Sequence, residues 1–291
     1  MGSTIVRELY QAMADTVFRR LAAPVLTLLV IAAPAAAQPA TAVAADPLAA
    51  ARAHYNEGRF EEAIQAAQAV QDTVGSPATL IIGRAGLERF RTTADAAQLT
   101  AARGALSHVD ASRLSPRDRL DLVVGLGEAL FFDEHYQAAA DLFESILDDV
   151  AALGPGPRDQ LLDWWATAVD RHVRGLPAEK RAEAFDRLVA RMEGEVRKDP
   201  TSAAAAYWVA AASFARGNVE RAWDAAVAGW VRGILTVDRG MALRPDLDRL
   251  VRDAIIPERV RRIQVTNGEA QATEASMLAE WTLVKEQWAR P

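Results

Sequence analysis

Three stretches of this chain superimpose on one another without a gap, and that self-similarity restricts the fold more than any other feature. Residues 50–70 read AARAHYNEGRFEEAIQAAQAV, residues 126–146 read LGEALFFDEHYQAAADLFESI, and residues 209–229 read VAAASFARGNVERAWDAAVAG. Each is a run with helical apolar spacing, a short polar break, and a second helical run. The breaks are Asn56-Glu57-Gly58-Arg59, Asp133-Glu134-His135 and Arg216-Gly217-Asn218. An apolar residue follows each break (Phe60, Tyr136, Val219), and a small one comes three positions later (Ala63, Ala139, Ala222). Self-similarity of this kind points to stacked supersecondary units, because one helical hairpin cannot bury its apolar face alone.

The pattern resembles the tetratricopeptide repeat, a helix–turn–helix unit of about 34 residues. The middle copy carries it best. Leu126-Gly127 match the Leu-Gly of the first helix, Tyr136 and Ala139 match the turn aromatic and the small residue, and Phe143 matches the second-helix aromatic. The outer copies keep Gly58 and Gly217 but have Ala67 and Ala226 in place of that aromatic, and the terminal Pro is absent from all three. Phe60 and Tyr136 are 76 residues apart, and Tyr136 and Val219 are 83 apart, leaving room for two degenerate copies. These are expected over 78–91 with 94–108, and over 158–174 with 178–198. The resemblance therefore implies an all-α, right-handed helical-hairpin solenoid of about five hairpins over residues 47–235. Small first-helix residues (Ala51, Gly127, Ala168, Ala210) would let paired helices approach closely.

The pattern changes after Leu235. A short helix is expected from Arg244-Pro245-Asp246 to Ile255, with Ile256-Pro257 as its break, and a final helix from Glu269 to Arg290. Trp281 and Trp288, seven apart with Leu278 and Val284 nearby, would form one apolar stripe. Residues 236–291 thus read as a helical extension that caps the last hairpin or folds back into the groove.

The first 37 residues read as an address. Arg19-Arg20 precede an apolar run from Leu21 to Ala33, and Ala35-Ala36-Ala37-Gln38 supplies small residues for cleavage after Ala37. The run is too short to span a bilayer comfortably; an uncleaved anchor is the competing reading, and Met13 competes with Met1 as the start. Residues 38–46 form an Ala/Pro-rich flexible lead. The expected location is periplasmic or secreted, with membrane contact only through the transient signal peptide.

Composition narrows the chemistry. The chain has no Cys, so thiolate metal sites, disulfides and cysteine nucleophiles are excluded. Its four His residues are far apart, and a balance of 33 basic to 39 acidic side chains argues against nucleic-acid binding. No cofactor is expected and no catalytic constellation stands out. Glu61-Glu62, Asp148-Asp149 and Glu193/Glu195 read as solvated charge clusters, Asp170-Arg171-His172 as a surface ion pair, and Arg259, Arg261 and Arg262 as a basic helix face. The chain is expected not to be an enzyme.

In tetratricopeptide arrays the first helices line the concave face, which binds peptides or partner proteins. Carried over by alignment, that face would include Arg52, Tyr55 and Asn56; Glu128, Phe131 and Phe132; and Tyr207, Trp208 and Phe214. The degenerate fourth hairpin would add Trp165 and His172. Aromatics with Arg suit a recognition surface, although each single aromatic could equally be packing between repeats. Trp208 is the sharpest case: groove anchor or core. The function implied is an exported scaffold binding a protein or peptide partner in the cell envelope. A secreted helical enzyme acting on wall glycan, or a structural subunit whose groove its own tail fills, are the alternatives.

Overall fold

The computed structural model describes residues 46–150, 155–263 and 267–289. The expected signal peptide and its cleavage point lie outside the described residues. Among the described residues there is no strand, and the fold class is all-α. No described helix is long and apolar enough to cross a membrane.

The chain divides into two compact units at residues 149/150, within the span that the repeat pattern treats as one domain. The N-terminal unit contains α1 (Ala49–Asn56), α2 (Phe60–Val74), α3 (Ser76–Thr93), α4 (Ala96–Ser107), a 3₁₀ turn (Ala111–Arg113), α5 (Pro116–Phe132) and α6 (Tyr136–Ile146). Successive pairs pack as hairpins. In addition α3 packs on α1 and α2, and α5 packs on α3 and α4. Leu80, Leu87, Leu99, Leu106 and Leu122 fill the space between the second and third pairs, while Leu48, Ala51, Ala67 and Ala78 join the first to the second.

The C-terminal unit contains α7 (Pro155–Val173), α8 (Ala178–Lys198), α9 (Ala203–Arg216), α10 (Val219–Arg232), a 3₁₀ turn (Gly233–Leu235), α11 (Leu243–Leu250), a π turn (Val251–Ile255), α12 (Ile256–Ile263) and α13 (Asn267–Gln287). Here α9 packs on α7, α8 and α10, and α11 packs on α9 and α10.

Local chemistry sets the helix ends. Ser115 caps α5 by accepting from Asp118 N–H, with Pro116 in the first turn; Ser202 caps α9 and Asn218 caps α10 in the same way. The three aligned breaks share one turn. Gly58, Glu134 and Gly217 occupy equivalent positions, and all take left-handed backbone (φ +74°, +62° and +92°). The next residue in each case donates its N–H five residues back: Arg59 to His54 O, His135 to Leu130 O and Asn218 to Ser213 O, each at 2.9 Å. This is the Schellman closure of a helix. The small residues beyond the turns, Ala63, Ala139 and Ala222, are completely buried.

Three expectations need correction. Ile256-Pro257 does not break the helix: Ile256 donates to Val251 O across a π turn, and this wider turn lets Pro257 occupy a first-turn position where its missing N–H costs nothing. Glu195 is not on a solvated face; it is buried and gripped by Arg158 (2.5 Å), Arg191 (3.0 Å) and Lys198 (3.4 Å). The final helix buries Trp281 but leaves Trp288 exposed. Trp281 meets Trp223 and Trp230 of α10 edge-on at 5.9 and 5.4 Å and donates its indole N–H to Asp248 of α11 at 2.8 Å. The expected stripe therefore keeps Trp281 as its buried anchor, with Leu278 and Val284 half-buried, and loses Trp288.

Candidate functional site

The first helices of the N-terminal unit place a set of charges on neighbouring turns. On α3, Arg84, Glu88 and Arg91 follow one another at helical spacing and so share a face. Helix α5 contributes Asp121 and Glu128, one heptad apart, and α1 contributes Arg52 and Tyr55. Arg84 pairs with Glu128 and Arg91 with Glu88, all four side chains being almost fully buried. Arg52 bonds Asp46 at 2.6 Å and reaches Asp118 of α5 at 3.5 Å. Arg52, Tyr55 and Asp121 are half-buried and form a rim; Glu88 and Glu128 form a floor.

The floor is incompletely satisfied. Glu128 Oε1, Arg91 Nε and Arg91 Nη1 are buried and make no hydrogen bond among the described residues. Burial pushes the Glu128 carboxyl up to about 7, against the opposing pull of Arg84. Burial also raises Asp121, with Arg84 and Arg117 pulling it down, and it raises the Tyr55 phenol. Burial works against the charge on Arg84, but Glu128 and Tyr55 outweigh it and hold the guanidinium firmly protonated. The arrangement sets guanidinium donors beside carboxylate acceptors on neighbouring helices, with the half-buried Tyr55 nearby.

The residues expected on the groove separate into two groups. Arg52, Tyr55 and Glu128 come together in this cluster. Asn56 is exposed at the end of α1. Phe131 is buried against Tyr136 within its own hairpin (5.2 Å), and Phe132 packs on Phe90 of the preceding hairpin (4.9 Å), so both serve packing. In the C-terminal unit Trp165, Tyr207 and Trp208 are buried, whereas His172 and Phe214 are half-buried. Trp208 takes the core alternative: it is 4% exposed, stacks edge-on with Tyr207 at 5.6 Å, and donates its indole N–H to Asp163 at 2.7 Å. Asp159 accepts from Ala203 N–H (3.0 Å) and Ala204 N–H (3.1 Å) at the start of α9, a structural use of a carboxylate at a positive helix end.

Arg84, Glu88 and Arg91 escaped sequence reasoning because the second hairpin is degenerate and no register could be carried onto it. Their spacing of four and three residues was the available signal.

Elsewhere, an open pocket of about 280 Å³ in the C-terminal unit is lined by Asp186, Glu193, Ser213, Arg216 and Arg221. Its charges already answer one another, Arg216 with Asp186 (2.8 Å) and Arg221 with Glu193. The expected basic face at 259–262 is likewise neutralised: Arg259 pairs with Glu220 and lies over the Trp223 ring, and Arg261 and Arg262 pair with Glu258. Among the described residues no group of three or more potential ligands could hold a metal ion. Comparison with protein-family models, curated proteins and solved structures finds no match for this chain.

Proposed function

We propose that the chain is an exported, tetratricopeptide-like scaffold whose first-helix surface in the N-terminal unit binds an extended segment of a partner protein in the cell envelope. In this reading the hairpins form a right-handed solenoid. Support comes from the order of packing within each unit, in which α3, α5 and α9 each lie against both helices of the preceding pair, and from the shared turn of the three aligned copies.

The observation that carries the binding reading is the juxtaposition of Arg52, Tyr55, Arg84, Glu88, Arg91, Asp121 and Glu128 on three consecutive first helices. Buried charges with unsatisfied atoms are a net cost to folding. Natural sequences retain such costs mainly where a surface serves a ligand. A peptide backbone supplies both N–H and C=O groups and so suits a surface of alternating sign. A glycan-cleaving use of Glu128 is less well supported, because its carboxyl is 1% exposed and lies beneath the rim.

Selection of peptides from a random displayed library on the full chain tests the proposal. Selected peptides should lose about tenfold or more in affinity on Tyr55→Ala or Arg91→Ala, the scale of an interface anchor. Arg103→Ala, which removes a surface pair with Asp133 and a long hydrogen bond to Thr100 outside the cluster, should leave affinity unchanged. Failure to recover any peptide, or equal binding to all three variants with their folds intact by circular dichroism, would overturn it.

A further inference from the structure

The turn that leaves α10 is built inside out. Thr236 is buried, and its hydroxyl donates to Asp238 Oδ1 at 2.7 Å while accepting the Gly240 N–H at 2.7 Å. Asp238 shares that Gly240 N–H (3.0 Å) and accepts from Ala242 N–H (2.7 Å). Burial would raise its carboxyl, but these bonds hold it below the usual carboxylate range. Arg239 and Gly240 take successive left-handed conformations (φ +57° and +84°), and Arg239 N–H closes the turn on Thr236 O at 2.9 Å. The polar side chains thus occupy the interior.

The large apolar side chains are left outside. Val237 is 74% exposed and Met241 80%, flanked by Ile234 and Leu235 at 43% and 50%. Arg244 ties the end of α13 to the same place, donating to Trp230 O (3.2 Å) and to Trp288 O (3.1 Å), and Trp288 is itself exposed. The turn cannot relieve this exposure by rotating the apolar groups inward, because Thr236 and Asp238 fill that space. Arg232 and Arg239 form no ion pair among the described residues, and the only acidic side chain of the turn, Asp238, is consumed by its own hydrogen bonds.

We infer that this turn is a docking element for an anionic lipid surface. A projecting apolar tip needs a matching pocket on a protein but none on a bilayer. Flanking arginines meet phosphate headgroups, and Trp favours the interface. Anionic headgroups complement the unpaired positive charge. Sequence alone puts membrane contact only in the leader; this would be a second contact, made by the folded C-terminal unit.

The chain has no Cys, so one introduced thiol carries one probe. Full-length Val237→Cys and Met241→Cys, labelled with an environment-sensitive fluorophore, are titrated with phosphatidylglycerol vesicles and with phosphatidylcholine vesicles. Asp224→Cys, exposed on α10, is the control. Probes at 237 and 241 should shift to the blue and be quenched by nitroxide-labelled lipid on the anionic vesicles, while the probe at 224 should do neither. Adding Arg239→Asn, a residue that tolerates left-handed backbone, should weaken the anionic-vesicle response about fivefold, the worth of one basic side chain near such a surface. The N-terminal apolar run is present in every variant. Vesicle binding that leaves the probes at 237 and 241 in water therefore overturns the inference. So does a shift at 241 that follows protein concentration without vesicles, which would assign the tip to a second copy of the chain.

Discussion

Gly127 of α5 lies directly against the ring of Phe143 on α6. A methyl group built on Gly127 would overlap the ring edge, only 2.8 Å from Cδ1, and Phe143 is completely buried. The hairpin closes to this distance because the first helix has no side chain at the crossing. Gly127→Leu should therefore overpack the contact and destabilise by about 1–3 kcal/mol, the usual range for forcing atoms into a filled core. Urea melts give the value directly. An unchanged midpoint would mean that α5 and α6 do not pack in this register.

The shared turn predicts an opposite pair of effects. Glu134 holds a left-handed conformation that Gly adopts freely at the equivalent positions 58 and 217. Such backbone costs a residue with a Cβ about 1–2 kcal/mol, partly offset by the greater freedom glycine has when unfolded. Glu134→Gly should raise stability by about 0.5–1 kcal/mol, and Gly217→Ala should lower it by about 1 kcal/mol. Thermal melts of the two variants should move in opposite directions. Movement in the same direction would remove the turn as the element common to the copies.

Those turns were legible in the sequence because they are local. Gly58, Gly217 and the small residues at 63, 139 and 222 each lie within a few residues of their break. The charged cluster was not legible. Arg84, Glu88 and Arg91 present the same spacing whether they face water or another helix, and only Glu128, 44 residues further on, decides between the two. The aromatic residues fail for the same reason. Helical phase brings Phe131 and Trp208 near the first-helix face, but whether that surface meets solvent or Tyr136 and Asp163 depends on neighbours that phase does not reveal. At Pro257 the missing information was a backbone rearrangement: a π turn absorbs a residue that would end a regular helix.

Trp208 distinguishes core from groove by stability alone. Removing its buried indole with Trp208→Ala should cost about 3–5 kcal/mol, as for large aromatic truncations. Trp208→Phe keeps most of the volume but removes the N–H that donates to Asp163, and should cost about 1–3 kcal/mol as a lost partner of a buried acceptor. Chemical denaturation of both variants checks the ranking. A Trp208→Ala protein as stable as the parent would return this residue to the groove.

The Glu128 carboxyl predicts a pH dependence with a definite sign. Its folded pKa, about 7, lies above the ordinary 4.5, so between those values the folded state holds a proton that the unfolded chain has released. The resulting contribution to stability is complete below about pH 4.5 and is lost as pH rises through about 7, amounting to a few kcal/mol at most. Above that range the buried carboxylate relies on Arg84, with Arg91 and Glu88 acting in opposite senses nearby. Glu128→Gln keeps an acceptor toward Arg84 but cannot titrate. Between about pH 5 and pH 8 the parent Tm should therefore fall relative to that of Glu128→Gln. Parallel curves would mean that Glu128 titrates alike folded and unfolded. A parent curve that rises relative to the variant would mean that the attraction of Arg84 outweighs burial, making the floor of the cluster a stabilising ion pair instead of a cost that the rim and its ligand must justify.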